Sequence, residues 1–190
     1  VNDARRDLRE VTTDRLRLTP VSPSDLDELF ALHADPRVWT HLPSGRHLDR
    51  ERTARDIAAY QEDWERHGIG YWTARRLDDG TLVGVGGVRL VLDGQAWNTY
   101  YRVHPDQQGN GFATAVARAG HTAAAALRPE LPVIAYLLEH NAASRATAER
   151  LGLSPVWRGP DVGNPDPDAV RLVYADRPLD PELLGRIARR

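Results

Sequence analysis

Two glycines one residue apart, Gly109 and Gly111, sit in the stretch "HPDQQGNGFATAV" (104–116), just before an alanine-rich run. Glycine has no Cβ, so its backbone can take left-handed angles and lie close against an anion. A loop of this kind opening a helix offers unpaired N–H groups and the positive end of the helix dipole, a setting suited to phosphate. The competing reading is a β-hairpin, because Asn110-Gly111 is a strong two-residue turn signal. A hairpin needs a strand after the turn. Here Phe112, Ala113, Val116, Ala117 and further alanines follow, and they favour a helix. The loop is therefore expected to join a strand to a helix N-terminus.

Other phosphate motifs fit poorly. A dinucleotide fingerprint would carry a third glycine where Thr114 stands, and would leave its strand directly instead of five residues after Val103. A P-loop needs lysine, and the chain has none. It also has no cysteine, which excludes disulfides, thiolate nucleophiles and Cys-ligated zinc, while the missing lysine excludes Schiff-base chemistry. The histidines show no metal-binding spacing and there is no G-x-S-x-G elbow, so neither a metal centre nor a serine hydrolase is expected.

The elements that must position the loop can be read from periodicity. "DRLRLTPV" (14–21) alternates like a half-buried strand, and "SPSDLDELFALHADP" follows as a capped helix with Leu26, Leu29, Phe30 and His33 in helical register. A second helix over 49–68 presents Ile57, Tyr60, Gln61 and Trp64 and ends at Gly68. "YWTARRL", "TLVGVGGVRLVL" and "QAWNTYYRV", separated by Asp-Asp-Gly and Asp-Gly turns, read as an antiparallel meander. Strand 97–103, helix 111–127 and strand 133–138 then make a βαβ unit. A helix capped by Asn141 and closed by Gly152, two last strands in "SPVWR" and "AVRLVYA", and a short terminal helix in "PELLGRIARR" complete the chain. The fold class is α/β (α+β), with a mixed sheet of about six to seven strands and flanking helices.

At 190 residues and 41% hydrophobic, the chain suits one domain with a real core. Its net charge of −2 shows no global field for nucleic acid, and no apolar run is long enough for a membrane span. The opening residues lack the apolar core of a signal peptide, so a cytoplasmic location is expected.

The run Gln108-Gly109-Asn110-Gly111-Phe112-Ala113 resembles Q/R-x-x-G-x-G/A, the acyl-CoA pyrophosphate loop of the GNAT N-acetyltransferase superfamily. "TYYRVHPDQQGNGFATAV" looks like that family's strand, His/Pro, loop and helix signature, and "LLEHNAASRATAERLGL" like its Asn-x-x-Ser…Leu-Gly-Phe signature, with Leu153 in the Phe position. "TDRLRLTPVSPSDLDELFAL" resembles the opening of the RimJ/RimL-type branch, which includes acetyltransferases of ribosomal-protein N-termini. The resemblance spans roughly 12–176. Residues 1–11 are then an N-terminal extension, and 177–190 a tail or short helix.

The resemblance implies transfer of an acetyl group from acetyl-CoA, as co-substrate, to a primary amine on a small molecule or a peptide N-terminus. No metal, nucleic acid or membrane partner is implied, and a homodimer is left open. It implies that the fourth and fifth strands of the family splay to admit the pantetheine arm, with backbone groups of Tyr101, Arg102 and Val103 pairing with it. The side chains of Tyr100 and Tyr101 are either functional or simply packed. Asn141 would contact the arm as well as cap its helix. Ser144, one turn on, either faces solvent or reaches the cofactor sulfur as general acid, since Ala148 stands where many relatives carry tyrosine. Many relatives also carry glutamate on the fourth strand where this chain has Asn98, which orients but takes no proton at neutral pH. His104 is a weak candidate base and more simply a loop residue; Glu139 is another. The acceptor is expected over "DPRVWTHLPSGRH", with Tyr60, Trp64, Tyr71 and Trp72 as aromatic walls, although core packing suits Trp64 and Trp72 better. The missing Glu and Tyr keep a non-catalytic acyl-CoA-binding module as the alternative; a dinucleotide oxidoreductase is the remoter rival.

Overall fold

The computed structural model describes residues 8–189, so the extension expected at 1–11 lies outside the described residues as far as residue 7, and Arg190 lies outside them as well. The strands run β1 (Val11–Thr12), β2 (Leu16–Pro20), β3 (Tyr71–Arg76), β4 (Leu82–Val91), β5 (Ala96–Val103), β6 (Val133–Leu138), β7 (Ser154–Pro160) and β8 (Val170–Ala175). The helices are α1 (Leu26–Ala34), α2 (Arg50–His67), α3 (Phe112–Leu127), α4 (Ala142–Arg150) and α5 (Pro181–Ala188). One eight-stranded sheet forms in the order β1-β2-β3-β4-β5-β6-β8-β7. The extra strand over the expected six to seven is the two-residue β1, an edge pairing too short to leave a period in the sequence. The expected meander is β3-β4-β5, and β5-α3-β6 is the expected crossover, with β5 and β6 the parallel pair.

Strand alternation sorts side chains onto two faces. Leu16, Leu18, Trp72 and Trp97 pack with Phe112 and Val116 of α3, whereas Val21, Leu29, Leu32, Ile57, Tyr60 and Tyr71 form a second core under α1 and α2. Trp64 and Trp72 are core residues, 2% and 0% exposed, as packing suggested. In α1 the buried face is Leu29, Leu32 and His33, with Phe30 only half-buried. Glycine sets how closely α3 seats on the sheet: a Cβ on Gly120 would lie 3.0 Å from the Gly87 carbonyl carbon. No helix among the described residues is long and apolar enough to cross a membrane.

Candidate active site

The sheet opens where β5 meets β6. Their parallel pairing is confined to Trp97↔Val133 and Asn98↔Ile134. Beyond it, β5 stays paired with β4 as far as Val103↔Gly84, and β6 with β8 as far as Leu138↔Arg171. The two inner edges therefore diverge, each with a row of backbone N–H and C=O groups that no strand satisfies. Such groups inside a sheet invite an extended polar ligand to take the vacant partner's place.

At the carboxyl end of this opening lies the glycine loop. Gly109 and Gly111 have φ of +77° and +78°, the left-handed region where other residues are strained. Gly111 is the N-cap of α3 and supplies no side-chain cap, so the first N–H groups of the helix are left without a side-chain partner. Among the described residues no atom lies within 4 Å of a Cβ built on Gly109, and only Arg15 Nη2, at 3.8 Å, approaches one on Gly111. These glycines are thus required by backbone angle and not by crowding within the loop. Gln108 Nε2 donates to Val103 O at 3.2 Å and ties the loop to the end of β5. Asn110 Nδ2 donates to the carbonyls of Gln107 and Gln108, each at 3.2 Å. Phe112 is buried and Ala113 packs against the same core. Arg15, from the turn before β2, lays its guanidinium over the Phe112 ring at 4.6 Å and donates to Asn110 O. Periodicity placed Arg15 only in a strand; no local signal marks it as a neighbour of residues ninety-five positions away.

Across the opening stands the N-terminus of α4. Asn141 Oδ1 accepts from Ser144 N at 3.1 Å, the expected cap. The Tyr101 hydroxyl donates to Ser144 O at 3.1 Å and lies 2.9 Å from Ser144 Oγ, so its ring reaches from β5 to the first turn of α4. Burial raises the Tyr101 pKa and keeps the phenol protonated. With the phenol's proton given to the carbonyl, Ser144 Oγ–H is free to donate to the Tyr101 oxygen. Ser144 is half-buried, facing Tyr101 instead of solvent.

On the other face, β5 directs Tyr100 and Arg102 toward α1 and the segment 36–47, and Asn98 toward β3. Asn98 Nδ2 donates to Tyr71 Oη at 3.4 Å, and its Oδ1 is buried without a partner. His33 Nδ1 is 2.9 Å from Leu29 O, which assigns the proton to Nδ1 and leaves Nε2 as acceptor, 3.4 Å from Tyr100 Oη. Arg102 donates through Nε to Tyr100 Oη at 3.3 Å and through Nη1 to His41 Nε2 at 3.2 Å, and lies 3.9 Å from the Trp39 ring centroid. His140 Nε2 donates to His41 O at 2.9 Å, and Arg37 pairs with Asp106 at 2.9 Å. Segment 36–47 is thereby fastened to both sides of the opening. Burial depresses the His33 pKa from 6.5 to about 4, and burial followed by the Arg102 charge brings His41 to about 4, so both are neutral at pH 7.

Tyr101–Val103 lie on the stretch of β5 that β6 leaves unpaired, Gln108–Ala113 on the loop and first turn of α3, and Asn141 and Ser144 at the start of α4, while Asn98 is the last β5 residue paired with β6. His104 sits in the turn between, its Nδ1 accepting from Asp106 N at 3.3 Å, and Glu139 is held in a fork by Arg158 at 2.7 and 2.9 Å. The Arg102 side chain, His33, His41 and Trp39 were not legible as a cluster, because they come from segments that only the tertiary fold brings together.

A family model described as an acetyltransferase (GNAT) domain matches residues 15–154, and the chain belongs to this family. No curated protein matches the sequence. Among solved structures, an acetyltransferase from Agrobacterium tumefaciens str. C58 aligns with a TM-score of 0.70 at 23% identity, covering 87% of this chain and 92% of that one. RimL, a ribosomal L7/L12 alpha-N-protein acetyltransferase in complex with coenzyme A, aligns at 0.70 and 20% identity, covering 90% and 97%. The microcin C7 self-immunity acetyltransferase MccE, in complex with acetyl-CoA and AMP, aligns at 0.70 and 14% identity, covering 86% and 92%. These likenesses establish the fold.

Proposed function

We propose that this protein transfers the acetyl group of acetyl-CoA directly to a primary amine. The observation that carries the reading is the pair of unpaired inner edges of β5 and β6, opening onto the Gly111-capped N-terminus of α3. The α3 N–H groups and those of Gly109 and Gly111 are donors that fit a pyrophosphate, and the free edges, which offer both donors and acceptors, fit an amide-bearing arm. RimL and MccE, whose structures contain CoA and acetyl-CoA, share this fold and support the same ligand here, and RimL agrees with the RimJ/RimL-type resemblance.

Acetyl-CoA supplies an activated thioester carbonyl. The protein's part is to hold it, orient the amine and manage protons. Backbone N–H groups over Tyr101–Val103 would bind the arm and stabilise developing negative charge. As the new C–N bond forms and the C–S bond breaks, Ser144, its Oγ held by Tyr101 and its helix turn by Asn141, would pass a proton to the leaving thiolate and take one back from solvent, which also receives the proton the amine sheds. Asn98 orients, and its neighbour Tyr71, pushed up by burial, stays a neutral phenol. With β5 presenting Asn98, Tyr100 and Arg102 to the acceptor side, and His33 and His41 held neutral with pKa values of about 4, the amine is expected to react from its own unprotonated fraction.

Asn98 and Ala148, standing where glutamate and tyrosine are common, favour a second reading as a non-catalytic acyl-CoA-binding module. Mass-spectrometric transfer from acetyl-CoA across amino acids, polyamines, amino sugars and peptides decides between them. Acetyl-CoA is expected to raise the melting temperature while NADH and ATP do not; at a hundredfold over its dissociation constant a native-state ligand adds about 2.7 kcal/mol. An equal shift with NADH would overturn both readings.

A further inference from the structure

Arg102 differs from four other arginines around the sheet. Arg37, Arg75, Arg89 and Arg158 each meet a carboxylate: Asp35 and Asp106, Asp25 and Glu28, Asp63, and Glu139 respectively. Arg102 has no carboxylate within 4 Å among the described residues. Its partners are neutral: the Tyr100 hydroxyl, the His41 ring and the face of Trp39. Asp56, on α2, engages His47 Nε2 at 3.4 Å. Arg102 is half-buried, and Trp39 beneath it is 6% exposed.

A cation drawn partly out of water with no counter-ion is costly, and an anion placed against it recovers that cost. The guanidinium is also pre-organised. Stacking fixes its plane, Nε and Nη1 are committed, and Nη2 has no hydrogen-bond partner among the described residues. A planar fork held in this way suits a carboxylate or a phosphate. Its position suits an acceptor, since it lies on the β5 face opposite Tyr101 and Ser144, on the stretch of strand that β6 leaves unpaired.

We propose that Arg102 is the anchor for an anionic group of the acceptor, so that the amine acetylated is a small molecule carrying a carboxylate or phosphate near its amino group. This rests on the transferase reading and adds the acceptor's chemical class to it.

The test uses matched amines with acetyl-CoA. Amino acids against their amides form the carboxylate arm, and phosphoethanolamine against ethanolamine the phosphate arm. The wild type is expected to favour the anionic member of at least one arm about 10- to 100-fold in kcat/KM, the range of a charge-assisted pair. Arg102→Gln should bring that ratio close to one through KM, and Arg102→Lys should restore part of it. The second readout needs no turnover: with CoA present, the anionic member should raise the melting temperature of the wild type and not of Arg102→Gln. An arginine that only staples Trp39 and His41 to β5 would lower both members equally and leave the ratio intact, which overturns the assignment. So does a wild type that acetylates the neutral members as well as the anionic ones. A wild type that binds acetyl-CoA and acetylates nothing counts against transfer, and the melting shift with CoA still decides the anion subsite.

Discussion

The two sides of β5 are built from different materials. Toward α3 and α4, the candidate cofactor site is mostly main chain: left-handed glycines, the N–H groups of a helix end, and two strand edges that part after residues 98 and 134. Toward α1 and α2, the candidate acceptor site is all side chain, with Arg102, His33, His41, Trp39, Tyr71 and Tyr100 interlocked. The glycine loop and the helix end depend on local conformation, which a short stretch of sequence dictates. Side-chain clusters depend on which distant segments meet. Substitutions should therefore act sharply and locally on the first side, and through charge, packing and selectivity on the second.

The largest expected effect is at the loop. Gly111→Val places a β-branched residue at φ +78° at the mouth of the helix. Left-handed angles alone cost such a residue roughly 1–2 kcal/mol, and the side chain would stand where an anion must approach. Acetyl-CoA affinity is expected to fall about 100-fold by calorimetry. Asn110→Ala, which removes two turn hydrogen bonds but no backbone donor, should change it by about threefold or less. A folded Gly111→Val protein with unaltered affinity would show that the loop is not the cradle.

Next comes the proton donor. Ser144→Ala should lower kcat about 10- to 100-fold, the low end for general acid catalysis because a thiolate leaves readily, with the acetyl-CoA dissociation constant nearly unchanged. Melting curves with and without CoA separate this from damage to the Asn141 cap. Tyr101→Phe should lower kcat less, because Ser144 keeps its proton and loses only its orientation. Wild-type turnover in a stable Ser144→Ala protein, with chemistry limiting, would leave solvent as the acid.

The acceptor side should reveal itself in acid. The His33 pKa is 6.5 when unfolded and about 4 when folded, so between these values the unfolded chain holds the extra proton. Its contribution to stability is full above pH 6.5 and is lost as pH falls toward 4, on the order of 3 kcal/mol for this shift. Urea titrations across this window should slope less steeply in His33→Gln than in the wild type; equal slopes would place the acid sensitivity elsewhere. The smallest effect is expected at Asn98. Its Oδ1 has no partner among the described residues and its Nδ2 bond to Tyr71 is long, 3.4 Å, so Asn98→Ala should change turnover by only a few-fold and leave the shape of the pH–rate profile alone.

The same division explains what could be read in advance. The β5-α3-β6 unit, the Gly109/Gly111 loop and the Asn141 cap were legible because each is a local pattern: a period, a turn chemistry, a side chain bonding three residues ahead. The eight-stranded count was not legible, since two residues of β1 leave no period. Helical spacing puts Leu26, Leu29, Phe30 and His33 on one face of α1; Leu29 and His33 are buried, with Leu32 in place of the half-buried Leu26 and Phe30, because spacing gives the stripe but not its centre.

The sequence by itself determined the order of elements, the glycine-opened helix and the family, since these follow from propensity, spacing and backbone freedom within short windows. Only the tertiary structure decided that β5 and β6 part after two residue pairs, that Tyr101 reaches Ser144, and that Arg102 meets Trp39 and His41 with no carboxylate beside it among the described residues. Those contacts join segments between about forty and sixty positions apart, and packing, not local preference, settles which of them touch.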